Sequence, residues 1–335
     1  MEIYFKNKKY IELIIDRLAK QLTQFGFHEQ FRPVRKIGKG GFATVYEVKR
    51  ALDGKTFAVK AFSKATAFSS PSSKATIENE ISILKLCNQE NLLNLYEVFE
   101  SHNSLYLVME NYEGGDLVSL IRRRNAIFSE QEIKGFMLDL LKGLRALDEG
   151  KIMHRDIKPE NIMIRVKGEK KELVIGDFGL ASKTDIPKYL LERCGTPGYV
   201  APEIANFKTG DRVTSKCDMF SLGVLFHILL CRTHLFNGSN CDEVYIKNKT
   251  LAFDLFSARY DAIDALAMDL LRKMLEKDPT ERISASDAMD SKYFWNCNDY
   301  NKTNGTPLTV GSPMKDICDE MVDETTTISK RLNFV

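Results

Sequence analysis

A chain of 335 residues with 44% hydrophobic and 28% charged side chains can hold one large domain or two ordinary ones, and has the composition of a soluble globular enzyme. Nine prolines and twenty glycines exclude a collagen-like or low-complexity chain. Forty-eight basic against forty-six acidic side chains leave a net charge of +2, too even for a protein that mainly coats nucleic acid or an anionic membrane.

Residues 1–30 read as a helical extension, with Ile11, Ile14, Ile15, Leu18 and Leu22 spaced three or four apart. They lack the apolar core and small-residue exit of a secretory signal. From Phe31 the period changes to that of strands: FRPVRKI, ATVYEVKR, TFAVKAF, LNLYEVFE and LYLVME are five short β-type runs. Asp53-Gly54 predicts a tight hairpin turn between the second and third. One helix, 74–87, interrupts them after a Ser-rich loop at 69–73.

After Asp116 the pattern becomes helical. Ser129 and Glu132 fit a capping box, followed by an apolar stripe of Ile133, Phe136, Met137, Leu140, Leu141, Leu144 and Leu147. Further helices are predicted at 218–231 and 261–276. The longest apolar run, Met219 to Cys231, is too short to span a membrane and contains His227, so it reads as a buried helix. Residues 296–335 form a polar tail. Seven cysteines without a CxxC pair point to reduced thiols in cytosol, or cytosol plus nucleus. The sequons at Asn237, Asn248, Asn301 and Asn304 then read as chance. Strands first and helices afterwards imply an α+β protein of two lobes, 31–112 and 113–295.

Four segments carry chemistry. In Ile37-Gly38-Lys39-Gly40-Gly41-Phe42-Ala43-Thr44-Val45, glycines would let a hairpin backbone approach phosphates. Taken alone, this segment is better explained as a plain turn, and a dinucleotide fingerprint would need a helix where a strand follows. Lys60 lies on the third strand, and Glu80 shares a helix face with Ile77, Leu84 and Cys87. A carboxylate facing a core needs a partner, and Lys60 is the candidate; the alternative is an exposed Glu on a frayed helix. The third segment, His154-Arg155-Asp156-Ile157-Lys158-Pro159-Glu160-Asn161, packs a base, cations and an amide into eight residues. The fourth, Asp177-Phe178-Gly179, follows a strand twenty-one residues after Asp156.

With Gly195-Thr196-Pro197, Ala201-Pro202-Glu203, Asp218 and Arg282 added, the chain resembles the eukaryotic protein kinase family from about Phe31 to Trp295. HRDIKPEN is similar to the serine/threonine branch. GTPGYVAPEI, YEVFE and GGDL resemble the calcium/calmodulin-dependent group.

The resemblance implies a bilobal fold with an ATP cleft, magnesium, and protein substrates bearing Ser or Thr. Ile37, Gly38, Gly40 and Val45 would cover the nucleotide. Lys60, oriented by Glu80, would hold its α- and β-phosphates. Ala58, Met109, Glu110, Tyr112 and Met163 would surround adenine, and Asp116 would reach the ribose. Asp156 would orient or accept the substrate hydroxyl proton, and Lys158 would neutralise phosphoryl charge. Asn161 and Asp177 would ligate magnesium, a hard cation suited to oxygen donors. Arg282 would pair with Glu203. Thr196 belongs to the substrate platform. Asp116 and Glu160 would favour a basic residue three positions before the acceptor.

Several positions depart from the family pattern. Ala43 replaces a third glycine, Phe220 a common tryptophan and Ile246 an acid frequent in basophilic relatives. Glu192 stands where many relatives carry a phosphorylated threonine; facing Arg155 it would order the loop without modification, Thr184 and Tyr189 being the alternative switches. Residues 315–324 hold five acids and one base, the wrong sign for a calmodulin target, which argues against calmodulin control. A pseudokinase scaffold would typically lack counterparts of Lys60, Asp156 or Asp177, and all three are present.

Overall fold

Alternating apolar side chains in the first third of the chain build one sheet. The structure, a computed structural model, describes residues 21–41, 43–125, 127–185 and 194–295. Its contacts divide the chain into two units, residues up to Asn88 with Leu93–Tyr112, and Gln89–Leu92 with Glu113 onwards.

The first unit contains β1 (Thr23–Gln24), α1 (Phe27–Gln30), β2 (Phe31–Lys39), β3 (Ala43–Arg50), β4 (Thr56–Ser63), α2 (Lys64–Ala67), α3 (Pro71–Leu86), β5 (Leu95–Glu100) and β6 (Ser104–Glu110). Sheet order is β1-β5-β6-β4-β3-β2. All pairings are antiparallel except β1 with β5, where Thr23 lies opposite Val98. Period-2 alternation gives the sheet two different faces. On one, Phe31, Phe57, Val59, Phe99, Tyr106 and Val108 form a core around Phe27. Ala58, Lys60 and Phe62 point to the other.

Three expectations need correction here. Residues 22–30 are not a continuous helical extension: Thr23–Gln24 pair as a strand with β5, and within this stretch only Phe27–Gln30 is helical. The stretch 69–73 is not a loop: α3 starts at Pro71, with Ser70 as N-cap accepting the Ser73 N–H at 3.1 Å. Serine at the cap and proline at the first helical position are start signals, because proline lacks an N–H that would be orphaned there anyway. The hairpin at Asp53-Gly54 is wider than a two-residue turn. Arg50 N–H donates to the Lys55 carbonyl at 2.9 Å, enclosing a loop over residues 51–54, and Asp53 accepts from both Arg50 and Lys55.

The second unit contains α4 (Leu117–Arg123), α5 (Glu130–Glu149), β7 (Ile152–Met153), β8 (Ile162–Lys167), β9 (Lys170–Ile175), β10 (Ser182–Lys183), α6 (Pro202–Ala205), α7 (Lys216–Cys231), α8 (Cys241–Thr250), α9 (Ala265–Met274) and α10 (Ala285–Met289). The capping box forms: Ser129 Oγ accepts the Glu132 N–H and the Glu132 carboxylate accepts the Ser129 N–H. All seven stripe residues of α5 are buried. The helix predicted at 261–276 is shorter, because Asp264 caps it and residues 258–260 make a separate 3₁₀ turn. Every residue of α7 from Cys217 to Leu229 is buried, and among the described residues no helix is long and apolar enough to cross a membrane. Two antiparallel pairs, β7 with β10 and β8 with β9, frame the loop 154–161 and the turn at 176–177.

Candidate active site

In the first unit, strand register gathers the expected nucleotide residues. Gly38 lies opposite Val45, Val45 opposite Lys60, and Ala58 opposite Met109, so all five share the face that receives α3. Ile37 falls at a register shift in β2 and is exposed. Glu110 ends β6, and Tyr112 follows two residues later with its hydroxyl 3.4 Å from the Glu110 carboxylate.

The Lys60 ammonium donates to Glu80 Oε1 at 2.5 Å. Glu80 is 4% exposed on α3, so its partner is the one expected and the frayed-helix alternative falls. The glycine segment is a β2–β3 hairpin in which Gly40 N–H bonds the Ala43 carbonyl at 2.8 Å. A Cβ at Gly38 or Gly40 would come no nearer than 3.6 Å to any neighbour, and neither residue has a positive φ. The fold itself therefore does not require glycine at these two positions.

In the second unit the loop 154–161 is held from beneath. Asp218, at the start of α7, accepts the N–H groups of His154 at 2.6 Å and Arg155 at 2.7 Å. Its burial pushes the carboxyl pKa up, opposed by His154 and these two bonds. Arg155 takes a left-handed conformation with φ +66°, and its Nε donates to the Leu180 carbonyl at 2.9 Å. His154 Nε2 lies 2.8 Å from the Gly176 carbonyl, tying the loop to the turn that bears Asp177. Such strained backbone persists only where its surroundings hold it.

Asp156 is the hub of the side-chain network. Asn161 Nδ2 donates to its carbonyl at 2.8 Å and to Oδ2 at 2.9 Å, and Thr196 Oγ1 donates to Oδ1 at 2.7 Å. Lys158 Nζ donates to the Thr196 hydroxyl at 2.6 Å and lies 3.2 Å from Asp156 Oδ2. Burial acts to lower the Lys158 pKa, but the carboxylates of Asp156, Glu160 and Asp177 outweigh it, so the ammonium stays charged above the ordinary lysine range. Gly195 (φ +114°) passes so close to the loop that a Cβ would meet the Arg155 carbonyl at 2.9 Å.

Asp177 (φ +51°) accepts the Gly179 N–H at 3.3 Å. Because Asn161 uses its amide nitrogen on Asp156, its carbonyl oxygen is the end suited to a cation. Among the described residues no cluster of three His, Cys, Asp or Glu side chains is assembled for a metal. Two oxygen donors, Asn161 and Asp177, suit magnesium, which keeps waters and phosphate oxygens in its shell rather than filling a protein cage. Asp116 caps α4, accepting the Ser119 N–H at 2.6 Å, and bridges to Met163. Glu160 sits in the 3₁₀ turn Pro159–Asn161. Glu192 and Tyr189 lie outside the described residues. Thr184 is described, and its N–H donates to the Lys151 carbonyl at 2.9 Å.

One supporting residue escaped the sequence reading. Asn248 is fully buried, accepts the Gly198 N–H at 3.1 Å and donates to the Val200 carbonyl at 2.8 Å, fixing the segment after Thr196. A polar residue amid hydrophilic helix neighbours gives no periodic signal, and the sequence marks Asn248 only as a sequon. Its burial bars glycosylation of the folded chain.

The family described as "Protein kinase domain" matches residues 31–294. The chain is 32% identical over 269 residues to "Calcium-dependent protein kinase 4" of Plasmodium berghei (strain Anka), covering 80% of this chain and 50% of that protein. It is 34% identical over 261 residues to "Serine/threonine-protein kinase DCLK3" of Mus musculus, covering 77% of this chain and 32% of that protein. A segment of "Titin homolog" of Caenorhabditis elegans is 32% identical over 282 residues, 84% of this chain and 1% of that protein. The chain belongs to the protein kinase family, and spans about half the length of the Plasmodium relative it matches.

Proposed function

We propose that this chain is an ATP- and magnesium-dependent kinase that phosphorylates serine and threonine hydroxyls of protein substrates. The observation that carries the reading is the network in which Asp156 is held by Asn161 and Thr196 with Lys158 beside it. Asp156 orients the substrate hydroxyl and receives its proton as the hydroxyl oxygen bonds to the γ-phosphorus. The bond from that phosphorus to the β–γ bridging oxygen breaks, and ADP departs. Lys158, charged at neutral pH, offsets the negative charge on the transferring group. Lys60, oriented by Glu80, holds phosphate oxygens of ATP. Asn161 and Asp177 would hold magnesium, which would supply positive charge to offset that of the phosphates.

Substrate preference follows from Asp116 and Glu160, two carboxylates suited to a basic residue three positions before the acceptor. Arg outranks Lys there, since its planar fork suits a carboxylate. The names of the relatives above support the serine/threonine assignment.

The test is Asp156→Asn. Transfer is expected to fall roughly 10²–10⁴-fold while ATP affinity is kept, because Asp156 acts on the hydroxyl and not on the nucleotide. A variant keeping more than about a tenth of wild-type turnover contradicts the assignment.

A further inference from the structure

The family's match begins at Phe31, yet residues 21–30 are built into the sheet unit. The Gln21 carbonyl accepts a hydrogen bond from Lys85 Nζ at 2.6 Å, near the end of α3. Thr23 and Gln24 then pair in parallel with Val98 and Phe99, covering the edge strand β5, and Gln24 Nε2 reaches Glu97 at 3.4 Å. Three residues on, Phe27 enters the core of the opposite face, its ring 4.1 Å from that of Tyr106 and 5.3 Å from that of Phe31. His28 Nε2 adds a contact with the Tyr106 hydroxyl at 3.1 Å.

The segment therefore passes around one edge of the sheet and grips both faces. On the far face it is locked by aromatic packing. On the near face it holds α3, the helix that carries Glu80 to Lys60. Lys85 and Glu80 sit on the same helix five residues apart, so a restraint on its last turns restrains the carboxylate as well.

We propose that residues 21–31 are a strap that positions α3, and that Lys85 is a positioning residue for phosphoryl transfer acting through the Glu80–Lys60 pair. The inference rests on the reading of that pair given above. An unstrapped α3 lets Glu80 withdraw, leaving the Lys60 ammonium poorly aimed.

The experiment compares full-length wild type, Lys85→Met, Lys85→Arg, Glu80→Gln and the Lys85→Met/Glu80→Gln pair. Lys85→Met is expected to lower kcat/KM for ATP roughly two- to tenfold, the size of effect one exposed hydrogen bond carries. It is also expected to speed amide hydrogen exchange across 77–84 at unchanged Tm. Lys85→Arg restores both readouts. In the Glu80→Gln background, Lys85→Met adds no further loss, since both changes act on one contact. A silent Lys85→Met beside a costly Glu80→Gln overturns the strap alone, as does full additivity in the pair. If Glu80→Gln is itself silent, the reading of the Lys60 pair fails and the strap with it.

Discussion

Two buried ion pairs, one in each unit, were both legible as candidates, and they are built differently. Arg282 is wholly enclosed: it makes two bonds to Glu203 at 2.6 and 3.0 Å, donates to the carbonyls of Lys216, Glu276 and Lys277, and stacks over Phe220 at 5.3 Å. Lys60 meets one oxygen of Glu80 and keeps 19% of its side chain exposed. Guanidinium suits a closed, many-donor socket, whereas a compact ammonium on a flexible stem can serve a second, transient partner. A charge saturated by its own chain holds the fold.

The comparison is broken most directly by removing each cation. Arg282→Met leaves the Glu203 carboxylate without its guanidinium and is expected to cost about 3–5 kcal/mol in urea unfolding, with activity per folded molecule little changed. Lys60→Met is expected to do the opposite. Transfer drops on the order of 10²-fold or more, as for loss of a charge-stabilising donor, while the stability loss, eased by the partial exposure of Lys60, stays below that of Arg282→Met. Similar stability losses for the two variants would erase the distinction.

A smaller effect sharpens the contrast from the enclosed side. His227 on α7 is fully buried, its Nε2 3.0 Å from the Tyr260 hydroxyl, with Arg259, Cys231 and His234 as the other ionisable neighbours. Burial first, and the Arg259 charge second, push its pKa down to about 3 from 6.5. The unfolded chain binds this proton below pH 6.5 while the folded chain does not, so stability is full above pH 6.5 and falls as pH drops towards 3. By pH 5 the loss amounts to about 2 kcal/mol. Thermal unfolding between pH 8 and 5 checks it: His227→Phe is expected to show a flatter Tm profile than wild type. Parallel profiles would remove the imidazole as the cause.

How much of this was visible in the residues depends on the range of the interaction. Local signals were plain: the Ser129–Glu132 box, the α5 stripe and the Glu80 face each need only three or four residues of spacing. The start of α3 was misplaced because four serines around a proline resemble a loop, although Ser70-Pro71 is also a helix start. Long-range supports left no trace. Thr196 was noted as part of a motif, but nothing in the sequence says that its hydroxyl bonds Asp156, forty residues earlier. The same holds for Asn248 under Gly198 and for Phe27 on Tyr106: each fills a space that exists only after the chain has folded.

The central claim is transfer of phosphate to serine and threonine. Purified full-length protein with labelled ATP, magnesium and a degenerate Ser/Thr peptide library tests it in one assay. The account expects label on serine and threonine, enriched where Arg or Lys stands three residues before the acceptor. Folded protein that binds ATP yet labels no peptide, or labels chiefly tyrosine, would contradict it.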